Sequence, residues 1–391
     1  MSTARLAAYR PEARSGEGSP PRWKALKLLN LRVVGAMRSL SLIQLGLVAV
    51  TPFVPFVPSA TAAAPYPLPP SSSPDSSPKH HKIYQFEPAG TWAENLAVRA
   101  NGNLLVTLLT APELWEIPPH NPSGAARVHR FENYTSLLGI TEYAHDAFAV
   151  VHGIANLSTG APVPGSFAVS TVDFSVGGGQ PLVQEAARVP EALLLNGLAT
   201  LSSDPPIVLA ADSSWGKVYR IDINSKTHSV ALADGSMESP TGTGRAQDIG
   251  VNGIHLVGDV LYFTNTIART LNKVRLANNG SATGNFTLVA NLGFQADDFT
   301  LALGGRSVVS GGGDGGGAFR GGPAAPAAYV AGNSNNTLFE LRRDGVVKPI
   351  LGAPNETVLQ KPTAVQFGRT PQDRETLYVV DGTGQVVAVE L

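Results

Sequence analysis

The chain has 391 residues, a formal net charge of −1 and no cysteine. The lack of cysteine excludes disulfides, thiolate nucleophiles and thiolate-bound metal centres. Glycine and proline number 41 and 30, which excludes a mostly helical fold because both residues destabilise a helix interior. With 43% hydrophobic and 15% charged residues, the composition indicates a globular chain with many turns and short strands.

The first 62 residues have the pattern of a targeting segment. After Met37 come a basic residue, an apolar stretch from Leu40 to Val50 and the small residues Ala60-Thr61-Ala62, an order typical of a secretory signal. The stretch is shorter than the roughly 20 apolar residues of a membrane anchor. We expect residues 1–62 to be an N-terminal extension and signal peptide, with Met1 or Met37 as the start. The mature protein is then secreted or held in the endomembrane lumen.

Residues 63–81 are predicted to be a Pro/Ser linker, and residues 82–391 a single domain. Removal of residues 1–62 takes away eight Lys and Arg but only two acidic residues, so the net charge becomes about −7. Nucleic acid and anionic membranes are unsuitable partners for an acidic domain, and we expect a monomer that binds a small molecule. Six Asn-x-Ser/Thr sequons predict glycosylation, at Asn133, Asn156, Asn279, Asn285, Asn335 and Asn355.

A short pattern recurs six times after the linker. Each copy has a small or polar start, a few apolar residues, a turn and a second apolar strand, and the copies begin 45 to 65 residues apart. This spacing is close to the ~40–50 residues of a four-stranded propeller blade with inserted loops. The sequence therefore predicts an all-β fold, a six-bladed β-propeller. The copies begin at Glu94, Gly139, Asn196, Asn252, Asp297 and Pro362.

Two further segments complete this prediction. Residues 82–86 have no blade of their own, and we expect them to pair with residues 385–389 and so close the ring, which protects the sheet edges. His80 and His81 are assigned to the linker. The Gly-rich segment 304–327 is predicted to be a flexible surface insertion, because it has neither the Lys-Ser/Thr of a phosphate loop nor a strand and helix around it.

The inner strands of a propeller begin around a central channel, so the first residues of the six copies are expected to meet at its mouth. Two carboxylates and two amides among them form the ligand set of a hard cation such as Ca²⁺. Asn and Asp also form turns and begin strands, which explains any one of them alone, but their equivalent positions favour a site. The candidate metal ligands are Glu94, Asn196, Asn252 and Asp297, of which Glu94 and Asp297 are also the candidate catalytic residues.

Three other side chains are candidates for substrate binding. Trp215 follows the second strand of the third copy, and Tyr143 and His145 lie at the turn of the second copy. We expect these residues to line the channel mouth, although a lone Trp or His in a turn is often structural. The sequence has neither a G-x-S-x-G nor an H-E-x-x-H motif, so it gives no sign of a nucleophile elbow or a zinc protease.

Several copies carry a family resemblance that covers about residues 82–391. The segments Glu94-Asn95-Leu96-Ala97, Asn196-Gly197-Leu198-Ala199, Asn252-Gly253-Ile254 and 212–222 resemble the SMP-30/gluconolactonase/LRE family of six-bladed propellers. The resemblance implies a divalent cation held by the four candidate ligands. This chain departs from the family in its first copy, which lacks Glu-Gly-Pro, and in Asp297-Asp298-Phe299, which replaces Asp-Gly. Either of the two adjacent aspartates can then face the channel.

The opening Trp92-Ala93-Glu94-Asn95-Leu96-Ala97-Val98-Arg99 is similar to a fungal exported branch that includes the hetero-Diels–Alderases of tropolonic sesquiterpenoid biosynthesis. The resemblance implies a stereoselective ring-forming reaction, such as that of a tropolone quinone methide with a terpene. This reaction requires an apolar pocket and a hydrogen-bond donor or cation, and no cofactor. Two alternatives stay open, a divalent-cation-dependent lactone hydrolase and a non-catalytic exported binding propeller.

Overall fold

The structure is a computed structural model that describes residues 77–391 except 157–158, 160, 178, 243–247, 304–305 and 308–326. The predicted signal peptide, most of the linker and most of the Gly-rich segment lie outside the described residues. Within the described part of the chain, no helix has the length and apolarity needed to cross a membrane.

The described residues form six antiparallel β-sheets that follow one another as the blades of a propeller, as predicted. The first half of the chain contains β1 (His80–Gln85), β2 (Ala93–Val98), β3 (Leu104–Leu108), β4 (Glu113–Ile117), β5 (Ala126–Arg130), β6 (Ser136–Ala144), β7 (Ala147–Gly153), β8 (Ala155–Asn156), β9 (Ala161–Pro162), β10 (Ala168–Asp173), β11 (Leu182–Arg188), β12 (Leu195–Ser203), β13 (Pro206–Asp212), β14 (Lys217–Asp222) and β15 (Thr227–Ala233). The second half contains β16 (Val251–Val257), β17 (Val260–Asn265), β18 (Thr270–Arg275), β19 (Thr287–Asn291), β20 (Ala296–Leu303), β21 (Arg306–Ser307), β22 (Ala327–Gly332), β23 (Thr337–Leu341), β24 (Val347–Leu351), β25 (Pro362–Phe367), β26 (Thr376–Asp381) and β27 (Gln385–Glu390). Two short 3₁₀ turns are Pro122–Gly124 and Asn333–Asn335.

The innermost strands of blades 1 to 6 are β2, β6, β12, β16, β20 and β25, and each blade runs outward from its inner strand. Blade 2 carries the small hairpin β8–β9 as an insertion, and blade 5 carries the short strand β21. Six apolar clusters form the core. Each cluster lies between two neighbouring blades, including blades 6 and 1, so the apolar contacts continue around the ring.

Blade 6 joins the two ends of the domain. Its outer strand is β1, which pairs antiparallel with β27 from His80 opposite Val389 to Gln85 opposite Gln385. The predicted closure of the ring is therefore confirmed. The assignment of His80 and His81 to the linker is wrong, because main-chain pairing to Val389 and Ala388 needs no apolar side chain and both histidines lie exposed on this outer strand.

Every inner strand has a register shift close to its beginning. Such a bulge inserts a residue and re-aims side chains. The shifts in β12, β16 and β20 lie at Asn196, Asn252 and Asp297. In β6 and β25 the equivalent residues are Leu138 and Thr363. The predicted mouth residues Gly139 and Pro362 therefore each lie one position away from the residue at the equivalent place in the bulge.

Glycines beside these bulges allow neighbouring inner strands to approach each other. A Cβ on Gly139 would overlap the carbonyl oxygen of Asn196, and a Cβ on Gly197 would overlap that of Asn252. The Asn-Gly pairs thus lie inside strands, and neither asparagine has a positive φ. Turn formation therefore does not describe these asparagines, whereas the other explanation, the beginning of a strand, agrees with their places as second residues of β12 and β16.

Candidate functional site

The mouth of the channel is the end at which the inner strands begin, and Glu94 of β2 lies there with 7% of its surface exposed. The indole Nε1 of Trp92 donates a hydrogen bond of 2.6 Å to Glu94 Oε2. Burial raises the pKa of Glu94 to about 7, and the negative charge of Asp298 adds to this rise although the indole opposes it. The carboxyl is therefore partly protonated near neutral pH.

Asp297 of β20 is the second acid at the mouth. Its Oδ1 accepts a hydrogen bond of 2.7 Å from Asn252 Nδ2, and its Oδ2 accepts one of 3.3 Å from Asn333 Nδ2. Burial and then the charges of Glu94 and Asp298 hold the pKa of Asp297 well above its ordinary value. The mouth consequently carries less negative charge at neutral pH than its carboxyl groups alone would give.

Asn196 differs from the other polar residues of the mouth. Only 6% of its surface is exposed, and its side chain has no hydrogen-bond partner among the described residues. The equivalent Asn252 donates to both Asp297 and Thr266. The amide atoms of Asn196 are not among the fully enclosed side-chain atoms that lack a partner, so Asn196 is the group of the mouth that is open to a ligand oxygen.

The four candidate metal ligands are not arranged as an oxygen cage. Asn252 presents its amide nitrogen, not its oxygen, to Asp297 and to Thr266, whereas Ca²⁺ binds through oxygen. In the part of the chain that the structure describes, no group of three or more His, Asp or Glu side chains is placed to hold a metal ion. With the amide of Asn252 in this orientation, the four residues do not fit a cation.

A second polar layer lies further along the channel. Asn95 of blade 1 donates a hydrogen bond of 3.0 Å to Asp298 Oδ2 of blade 5, although blade 6 lies between these blades in the ring. His255 Nε2 of blade 4 lies 2.8 Å from Asp298 Oδ1. Both aspartates of the bulge therefore face the channel, Asp297 at the mouth and Asp298 below it.

Tyr143 and His145 are not mouth residues. They lie at the end of β6 and in the turn to β7, and an inner strand that begins at the mouth must end at the opposite face. At that face Arg369 forms an ion pair with Glu142 and donates a hydrogen bond of 2.8 Å to the carbonyl oxygen of Val98. The prediction that Tyr143 and His145 line the mouth is therefore wrong.

Trp215 lies on the mouth side, because β13 runs antiparallel to β12 and its following turn returns to that end. Its main-chain N–H donates to Asp212 Oδ1 at 3.2 Å, while 46% of the residue is exposed.

Sequence reasoning missed Trp92, Thr266 and Asn333 as mouth residues. Trp92 precedes β2, and the bulge at Glu94 interrupts the strand alternation that could have indicated it.

The six sequon asparagines lie at the surface of the described domain. Five are exposed and Asn335 is half-buried in the second 3₁₀ turn. Glycosylation, the signal peptide and export stay predictions.

Fold and site together define a six-bladed propeller with a recessed, weakly charged polar mouth. No family model matches the chain. It is 28% identical over 338 residues to a protein of Phoma sp named Putative hetero-Diels-Alderase, with 80% of this chain and 88% of the relative covered. It is also 28% identical over 333 residues to a protein of Sarocladium schorii that is likewise named Putative hetero-Diels-Alderase, with 79% of each chain covered. The predicted resemblance and the prediction of a cyclase-like enzyme are confirmed.

Solved structures share the fold at low sequence identity. A luciferin-regenerating enzyme has a TM-score of 0.51 and 12% identity, with 80% of this chain and 95% of that chain covered. An auxiliary nutrient binding protein from Bacteroides ovatus has a TM-score of 0.54 and 10% identity, with coverages of 79% and 76%. These similarities concern the fold alone.

Proposed function

We propose that the chain catalyses a stereoselective hetero-Diels–Alder reaction in the channel mouth, between an oxygen-containing heterodiene such as a tropolone quinone methide and the alkene of a terpene. The observation that carries the proposal is the similarity, over about four fifths of the chain, to two proteins that are named for this activity. A cycloaddition is accelerated mainly by fixing the relative orientation of its two reactants. The mouth therefore has only to hold both reactants and polarise one oxygen.

The contacts of the mouth support this chemistry. Asn196 offers an unpartnered amide N–H for the carbonyl oxygen of the heterodiene, on which negative charge grows during the reaction. Trp215 offers an exposed ring on the same side of the propeller for the hydrocarbon partner. The raised pKa values of Glu94 and Asp297 lower the charge that a neutral apolar substrate would meet.

The test is the product mixture formed from a heterodiene, generated in solution, and a terpene alkene. The wild-type chain is expected to give one stereoisomer where the uncatalysed reaction gives several. Asn196→Ala is expected to lower kcat/KM by about tenfold to a hundredfold, because loss of one hydrogen bond to a developing oxyanion costs about 1.5–3 kcal/mol. Asn278→Ala, an exposed residue on the β18–β19 connection, is the control. A product ratio equal to that of the uncatalysed mixture would disprove the proposal.

The melting temperature in the presence of cations tests the contacts of Asn252. Because its amide nitrogen faces Asp297, we expect millimolar Ca²⁺, Mg²⁺ or a chelator to leave the melting temperature unchanged. A cation that bound the folded state at a hundredfold excess over its dissociation constant would stabilise it by about 2.7 kcal/mol. Such a rise, lost in Asp297→Asn, would contradict the contacts described and favour cation-dependent lactone hydrolysis.

A further inference from the structure

We propose that Lys361 is a substrate-binding residue that recognises an ionised oxygen on the ring of the heterodiene. The substrate class is a conjugated ring with an acidic hydroxyl on the edge opposite its reacting carbonyl. This inference rests on the proposed function and adds to it the group that selects the ring.

The main chain of Lys361 is held in one position at the rim of the mouth. Lys361 directly precedes β25, the inner strand of blade 6. Its φ of 55° lies in the left-handed region, which a lysine seldom adopts. Its N–H donates a hydrogen bond of 3.0 Å to Asn336 Oδ1, and its carbonyl oxygen accepts one of 2.9 Å from the N–H of Gly382. Two neighbouring turns therefore fix the point from which this side chain starts.

The side chain of Lys361 lies over the indole of Trp92. Its Nζ is 5.3 Å from the ring centroid, within the range of a cation–π interaction. Gly382 permits this packing, because a Cβ there would lie 3.1 Å from the indole and 3.2 Å from the Cβ of Lys361. The same indole donates to Glu94 Oε2. The ammonium group is therefore held beside the mouth by an aromatic ring that belongs to the mouth.

The ammonium group of Lys361 is exposed and has no acidic partner among the described residues. The two acids at the mouth have other partners, since Glu94 accepts the indole N–H of Trp92 and Asp297 accepts two side-chain amides. An ammonium group carries three donors and no acceptor. Those of Lys361 are free for a ligand, and an ionised oxygen is the acceptor that they bind most strongly.

Lys361 lies across the mouth from Asn196. Blades 3 and 6 are opposite each other in a ring of six, and their inner strands begin beside these two residues. Thr363, the bulge residue of blade 6, donates its hydroxyl to the carbonyl oxygen of Ala93 and has no donor left for a ligand. A ring whose reacting carbonyl binds Asn196 then presents its far edge to Lys361. Attachment at two opposite points restricts the face on which the alkene can add.

The positive charge of Lys361 also suits the reaction. An ionised oxygen enriches a heterodiene in electrons, whereas addition to the electron-rich alkene of a terpene is faster when the heterodiene is electron-poor. An ammonium group beside that oxygen offsets its charge. Lys361 binds and polarises the ring in this way without forming a bond or transferring a proton.

The experiment measures binding of two unreactive rings by calorimetry at about pH 8. They are 4-hydroxytropone, which is then ionised, and its methyl ether, which has no acidic proton. The wild-type full chain is expected to bind the ionised ring about tenfold to hundredfold more tightly, the range for a hydrogen bond to a charged group. Lys361→Met is expected to lose this preference and Lys361→Arg to keep most of it. Molar salt should reduce the preference in the wild-type chain.

Lys226→Met is the matched control. Lys226 is also exposed and has a φ of 56°, but it lies in the turn between β14 and β15, at the face opposite the mouth. Equal affinity of the wild-type chain for the two rings would overturn the inference. A preference that survives in Lys361→Met, or that falls equally in Lys226→Met, would overturn it too.

The proposed function is tested separately by the stereoisomers that the wild-type chain forms in the cycloaddition. A preference for the ionised ring without stereocontrol would support the anion site and overturn the proposed function. Stereocontrol without that preference would overturn this inference alone.

Discussion

A chain that begins at residue 87 is expected to melt at least about 10 °C lower than the longer chain, or to fail to fold. This deletion removes β1, the outer strand of blade 6, and its pairing with β27. It also removes Phe86, which is 2% exposed and contacts Tyr84 and Trp115. Loss of a buried Phe alone costs about 3–5 kcal/mol, and 1 kcal/mol shifts the melting temperature of a large domain by about 2–4 °C.

A chain that begins at residue 77 is the matched control, since it keeps β1 and the hydrogen bond from Glu390 N–H to the carbonyl oxygen of Lys79. Thermal unfolding followed by circular dichroism should give the same melting temperature for this chain as for the full one. If the chain from residue 87 melted at that temperature too, the closing strand would contribute nothing to the stability of the ring.

Gly197→Ala is the second change with a large expected effect, a loss of about 3 kcal/mol in the free energy of unfolding. The new Cβ would overlap the carbonyl oxygen of Asn252 and lie 3.1 Å from the Cα of Gly253. Both contacting atoms belong to the main chain, so a change of side-chain rotamer cannot relieve either overlap. The inner strands of blades 3 and 4 must separate, which also moves Asn196 away from its place in the mouth.

Gly235→Ala is the control for this substitution, because a Cβ there meets no atom within 4 Å and the residue lacks a positive φ. Chemical denaturation should show a lower midpoint at unchanged slope for Gly197→Ala, and no shift for Gly235→Ala. An unshifted midpoint for Gly197→Ala would mean that the inner strands do not approach as closely as described.

The fold was predictable because each blade repeats the same local pattern, and the closing strand was identifiable as a strand without a blade. The exact mouth residues were less predictable. A β-bulge changes the face of every later side chain, and sequence alone does not show which residue is the extra one. For this reason the sequence pattern predicts Gly139 and Pro362 at the positions where the structure has Leu138 and Thr363.

The site was predictable where it depends on one repeat position and not where it depends on contacts between blades. Glu94 and Asp297 could be selected as acids at equivalent starts. The bond between Asn95 and Asp298 joins residues 203 positions apart in non-adjacent blades, and no local pattern signals such a pair. Tyr143 and His145 lie at the opposite end because an inner strand that begins at the mouth carries its last residues away from it.

The bond between Asn95 and Asp298 also affects turnover. With His255 it links blades 1, 5 and 4 across the channel, and the ion pair of Arg369 with Glu142 spans the opposite end. Because these contacts cross the channel at two levels, we expect a molecule that enters at the mouth to leave by the same opening. Product and the next reactants then compete for one opening, and the propeller is expected to show product inhibition that is competitive with its substrates.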